Sequence, residues 1–108
     1  MKLTCSKSGA ASVIKVEDRM DAQSCPDFEK ECQRLIQEGE KQLVVDLGAL
    51  RYISSAGLRA FLVVGNRLKE TGGSLRICCL DGLVKQVFLA AGFTSIFPIF
   101  DSVEAATK

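Results

Sequence analysis

Apolar and polar positions change rhythm several times along the chain, and each rhythm predicts an element. Lys2–Gly9 (KLTCSKSG) suits an edge strand closing at Gly9, and ASVIKVED, which sets Val13 and Ile14 among polar neighbours, predicts a second strand ending near Asp18. Phe28, Cys32, Leu35 and Ile36 then recur at helical spacing, the core-facing stripe of an amphipathic helix. Pro26 fits its first position, Ser24 or Cys25 its cap, Asp27 and Glu29 its positive end, and Gly39 its stop. Leu43–Leu47, apolar except for Asp46, predicts a central strand covered on both faces.

After the turn Gly48-Ala49-Leu50, the residues Tyr52 to Ala56 read as a loop leading into a helix. The stripe Leu58, Phe61, Leu62 and Leu68 carries that helix to Gly72 and Gly73, which suit a C-terminal cap. SLRICCL predicts another strand, and Asp81 caps a helix from Leu83 to Ala91 that stops at Gly92. SIFPIF is a short apolar segment whose Pro98 suits a sheet edge, and Asp101 and Glu104 have capping-box spacing for a last helix. The order β-β-α-β-α-β-α-β-α indicates an α/β domain with parallel strands in its central crossovers.

A chain of 108 residues can bury one core and is expected to form one domain. Its 14 Lys+Arg against 13 Asp+Glu are interspersed, so no basic face for nucleic acid is expected. No apolar run approaches the roughly 20 residues that span a bilayer, and MKLTCSKSGAAS has no signal-like apolar segment; the expected location is the cytoplasm. Five cysteines, without CxxC or any histidine, read as free thiols and not as a metal centre. The adjacent Cys78 and Cys79, within a strand-like run, are expected to point to opposite faces.

Enzymatic chemistry finds little support. There is no histidine base or GxSxG elbow for a serine hydrolase and no GxxxxGK[ST] loop for a nucleotide phosphate, and Asp18 and Asp21 read as turn residues. Neither an enzyme nor a cofactor is expected. The informative stretch is RYISSAGLRAF, where Ser54 and Ser55 stand together before a helix. One serine has a use as an N-cap. A second at the positive end of the helix dipole is either another capping and packing residue or a place where a covalent phosphate is tolerated.

The segment LVVDLGALRYISSAGLRAFLVVGNRLKETGGSLRICCL resembles the STAS domain, the family of bacterial anti-sigma factor antagonists. IKVEDRMDAQSCPDFEKEC is similar to that family's "v.v.G.lDa.s...f" region, and LVKQVFLAAGFTSIFPIFDSVEAA to its closing helix, strand and helix. The resemblance implies a single STAS domain with its core at about residues 10–106: a small mixed sheet with helices chiefly on one face. It implies a protein-binding module whose partner is an anti-sigma factor with GHKL-type serine kinase activity, opposed by a PP2C-type phosphatase. The family's acceptor motif DS[ST]G falls on Ser54, Ser55, Ala56 and Gly57, which makes Ser55 the phospho-acceptor, with Ser54 as a rival. Asp21 matches the acidic residue of the "G.lD" turn, so the implied partner surface holds Asp21, Ser54, Ser55 and Gly57. Two positions depart from the pattern: Ser54 replaces the Asp before the acceptor, and Asp18 replaces the Gly of the turn. The alternative is an unphosphorylated STAS scaffold or ligand-binding module in a transporter, sensor or multi-protein assembly.

Overall fold

In the computed structural model, which describes residues 1–108, six strands form a mixed sheet. The chain runs through β1 (Lys2–Ser8), β2 (Ala11–Met20), α1 (Cys25–Gln37), β3 (Gln42–Asp46), β4 (Leu50–Ile53), α2 (Ser55–Glu70), β5 (Ser74–Cys78), α3 (Gly82–Ala90), a 3-10 turn (Phe93–Ser95), β6 (Ile99–Phe100) and α4 (Val103–Ala106). The sheet order is β1-β2-β3-β5-β6, with β4 pairing the far end of β2. Only β1 and β2 are antiparallel; the other pairs are parallel, as crossover connections through helices require.

The larger core joins one face of the sheet to α1, α2 and α3. Five phenylalanines run through it in sequence, Phe28, Phe61, Phe88, Phe93 and Phe97, with successive ring centroids 5.0, 5.5, 5.5 and 5.7 Å apart. Such offset and edge-on contacts add to the burial of the rings themselves. Ala11, Val13, Val44 and Cys78 face the opposite way, where Ala106 of α4 covers them. The helices therefore lie chiefly on one face, as the resemblance implies. No helix is long and apolar enough to cross a membrane.

Several local expectations are corrected. Leu50–Ile53, where the sequence suggests the end of a turn and the start of a loop, is the strand β4, too short to show a period of two. β2 continues past Asp18 to Met20 through an irregularity between Asp18 and Arg19. Pro26 is the second and not the first residue of α1; the cap is Ser24, whose hydroxyl makes no capping bond. Leu62 is 37% exposed, and Ala60 and Val64 take its expected place in the core. Asp101 does not cap α4; the Ser102 hydroxyl accepts from Ala105 N at 3.1 Å. Cys78 and Cys79 do not project to opposite faces. β5 ends at Cys78, and Cys79 has a left-handed backbone (φ 65°) that turns its thiol back toward its neighbour.

Candidate functional site

The site is assembled where β2 changes partners. Its first half pairs with β3, from Ala11↔Gln42 to Lys15↔Asp46, and its end pairs with β4, from Asp18↔Leu50 to Met20↔Ile53. The transfer occurs at the irregularity beside Asp18, which takes φ 74° and donates its N–H to Ala49 O at 3.1 Å. A left-handed residue at a bulge re-aims the strand, and glycine adopts that conformation most readily. The family pattern's glycine, matched here by Asp18, thus has a backbone reason.

Beyond the irregularity, β2 delivers Arg19 and Met20, and Asp21 follows its end. The Arg19 guanidinium lies 4.3 Å from the centroid of the Tyr52 ring on β4, and both residues are exposed. Asp21 organises the turn into α1. Its Oδ1 accepts from Gln23 N and Ser24 N, each at 3.1 Å, while its own N–H donates to Ser24 Oγ at 2.9 Å. The Ser24 backbone bond, with the Ser24 hydroxyl, the Gln23 N–H and the Arg19 charge behind it, holds the Asp21 carboxyl below its ordinary pKa. Oδ2 lies 3.8 Å from Arg19 Nε.

The start of α2 is tied to the same place. Ser54 N–H donates to Met20 O at 2.9 Å, so Asp21 and the two serines emerge from neighbouring points of the backbone. The Ser54 side chain accepts from Gly57 N at 3.2 Å, the bond of an N-cap to the third helical residue. Ser55, the first residue of α2, is exposed and its hydroxyl has no hydrogen-bond partner within the protein. The adjacent serines therefore differ in kind: one hydroxyl closes the helix, and the other faces solvent at the helix's positive end.

Gly57 lies beneath this surface and not on it. A Cβ there would lie 2.8 Å from Ile53 Cγ1, 3.0 Å from Met20 O and 3.1 Å from Met20 Cγ. The missing side chain lets α2 approach the ends of β2 and β4 closely, so Gly57 positions the serines and offers no exposed contact. The structure thus gathers Asp21, Ser54 and Ser55 at one surface. It adds Arg19 and Tyr52, which the sequence reading missed because their pairing requires β4; the register Arg19↔Tyr52 brings them together.

The sequence profile of the STAS domain matches residues 3–106. The chain is 40% identical over 106 residues to BtrV of Bordetella bronchiseptica, a protein provisionally named an anti-sigma factor antagonist; the match covers 98% of this chain and 91% of BtrV. An anti-sigma factor antagonist from Mycobacterium paratuberculosis superposes with a TM-score of 0.88 at 19% identity, covering 98% of this chain and 90% of that one. The Bacillus cell fate determinant SpoIIAA, in its phosphorylated form, superposes with a TM-score of 0.77 at 15% identity, covering 98% and 96%. With nearly its whole length matched by the family profile and by a relative of this identity, the chain belongs to the STAS domain family.

Proposed function

We propose that this protein is an anti-sigma factor antagonist that binds an anti-sigma factor through the surface around Arg19, Asp21, Tyr52 and Ser55, and that phosphorylation of Ser55 releases it. Its work is binding and not turnover. The relative at 40% identity supports the antagonist reading, and the observation that carries the switch is the division of labour between the two hydroxyls. Ser54 is engaged as a cap, whereas Ser55 is exposed and unpaired within the protein. A kinase reaching this surface meets Ser55 without breaking the helix cap. The anti-sigma factor is itself the proposed GHKL-type kinase, and a PP2C-type phosphatase restores the hydroxyl.

A phosphate adds about −1.5 to −2 charges at neutral pH. Within this chain those charges meet the positive end of α2, and Arg59, exposed four residues further along the helix, stands one turn away. The fold accommodates the group while a close partner face, fitted to a small hydroxyl, does not. Ser55→Asp is expected to weaken binding to the anti-sigma factor at least tenfold with an unchanged circular dichroism spectrum, and Ser55→Ala to bind as wild type. Wild-type affinity in Ser55→Asp would refute the switch.

A second reading rests on Ser54 standing where the phosphorylated pattern has Asp: the same surface docks on its partner and is never phosphorylated. A complex that forms but leaves the chain's mass unchanged with ATP present selects that reading.

A further inference from the structure

A second cluster of chemically able side chains lies away from the serines, at the C-terminal ends of β3 and β5. Asp46 and Cys78 are register partners in this parallel pair, so their side chains leave the sheet on the same face. In a continuing strand Cys79 would leave on the other. Its left-handed backbone (φ 65°) instead brings its sulfur to the same side, and one donor atom from each of Asp46, Cys78 and Cys79 lies within 4.8 Å of the other two.

That conformation is unusual for a residue with a side chain, and two backbone bonds hold it: Leu47 N–H donates to Cys78 O and Cys79 N–H to Phe100 O, each at 3.1 Å. Asp46 is oriented as well, its Oδ1 accepting from Gly48 N at 2.9 Å and leaving Oδ2 available. Gly48 keeps the approach clear, since a Cβ there would stand 3.3 Å from both Asp46 Oδ1 and Cys79 Cβ. Cys78 is fully buried under the face that α4 covers, whereas Asp46 and Cys79 are half-buried and open the cluster on one side.

Two sulfurs and a carboxylate oxygen suit a thiophilic divalent cation. Zinc takes sulfur at about 2.3 Å and carboxylate oxygen at about 2.0–2.2 Å, which sets tetrahedral donors about 3.5–4 Å apart. Donors within 4.8 Å of one another need to close by no more than about 1.3 Å to meet that geometry. We propose that Asp46, Cys78 and Cys79 form a binding site for a divalent cation of the zinc class. On binding, the cation replaces the two thiol protons, which pass to solvent; with the Asp46 carboxylate the centre carries one net negative charge, and a water completes the coordination. The bound ion would pin the end of β5 to the end of β3.

The test is a titration of the reduced, metal-free, full-length protein with Co²⁺ followed by Zn²⁺. A thiolate-to-cobalt charge-transfer band is expected to saturate at a single ion per chain and to be bleached by zinc. Cys79→Ser, at a half-buried position, should abolish the band while its circular dichroism spectrum shows the fold intact, and Asp46→Asn should weaken binding at least tenfold. Cys5→Ser, at an exposed thiol outside the cluster, should leave the titration unchanged. Absence of the band in the wild type overturns the site; so does a band that survives Cys79→Ser, ignores Asp46→Asn, or disappears with Cys5→Ser.

Discussion

The different roles assigned to the two adjacent serines can be separated by stability alone, before any partner is known. Ser54→Ala removes the hydroxyl that accepts from Gly57 N and leaves that donor without its cap at a half-buried helix start. Loss of an N-cap side chain costs about 1 kcal/mol, within a span of about 0.5–2. For 108 residues an unfolding entropy of about 2.1 cal/mol/K per residue gives about 0.23 kcal/mol/K, so 1 kcal/mol lowers Tm by about 4 °C. Ser55→Ala removes a hydroxyl that bonds to nothing in the protein, at an exposed helical position where alanine is the better helix former; its effect should stay within about 0.5 kcal/mol or be slightly favourable. Thermal and urea unfolding of the two variants, followed by circular dichroism under the same conditions, measures the difference directly. Equal destabilisation by both substitutions, or a larger loss from Ser55→Ala, would refute the assignment of Ser54 as the cap and of Ser55 as structurally free.

Phe61 is fully buried between Phe28 and Phe88, so Phe61→Ala should cost about 3–5 kcal/mol, read as a large fall in the urea midpoint; a loss below about 1 kcal/mol would contradict the continuous aromatic core. Asp18 holds φ 74° at the β2 irregularity, so Asp18→Gly should be neutral or stabilising by up to about 1 kcal/mol and Asp18→Val clearly destabilising, by chemical denaturation; the reverse order would remove the backbone argument. The folded-state pKa of Asp21 lies below its ordinary value of 3.8, chiefly through the Ser24 backbone hydrogen bond. Its ionised form therefore contributes stability above that ordinary value, and the contribution is lost as pH falls through the depressed one. The stability gap between wild type and Asp21→Asn should thus narrow on acidification from about pH 6 to about pH 3, and a gap that widens would reverse the assignment.

The α/β order, the parallel central strands and the placement of Ser54 and Ser55 at a helix start are legible in the sequence because they rest on long periodic runs and on capping chemistry, whereas the mixed sheet is implied by the family resemblance. β4 is not. Its four residues are buried only at Leu50 and Ile53, which leaves no alternation to read, and with β4 hidden the stacking of Arg19 on Tyr52 is hidden too. Gly57 stands out in the motif, but nothing in the letters says that its missing Cβ faces Met20 O and Ile53. Cys78 and Cys79 depart from strand alternation for one local reason: β5 ends at Cys78, and a left-handed backbone at Cys79 reverses the direction of the second thiol. Backbone reversals at residues other than glycine leave almost no trace in sequence.

The proposed switch makes Ser55 the acceptor and leaves Ser54 as the cap. Its most direct test is incubation of the wild type, Ser54→Ala and Ser55→Ala with the cognate anti-sigma factor and ATP, followed by mass mapping of the modified residue. One phosphate on Ser55 in the wild type and in Ser54→Ala, with none on Ser55→Ala, is the predicted result. Phosphate incorporated into Ser55→Ala at the wild-type level, or none in the wild type despite formation of the complex, would contradict it.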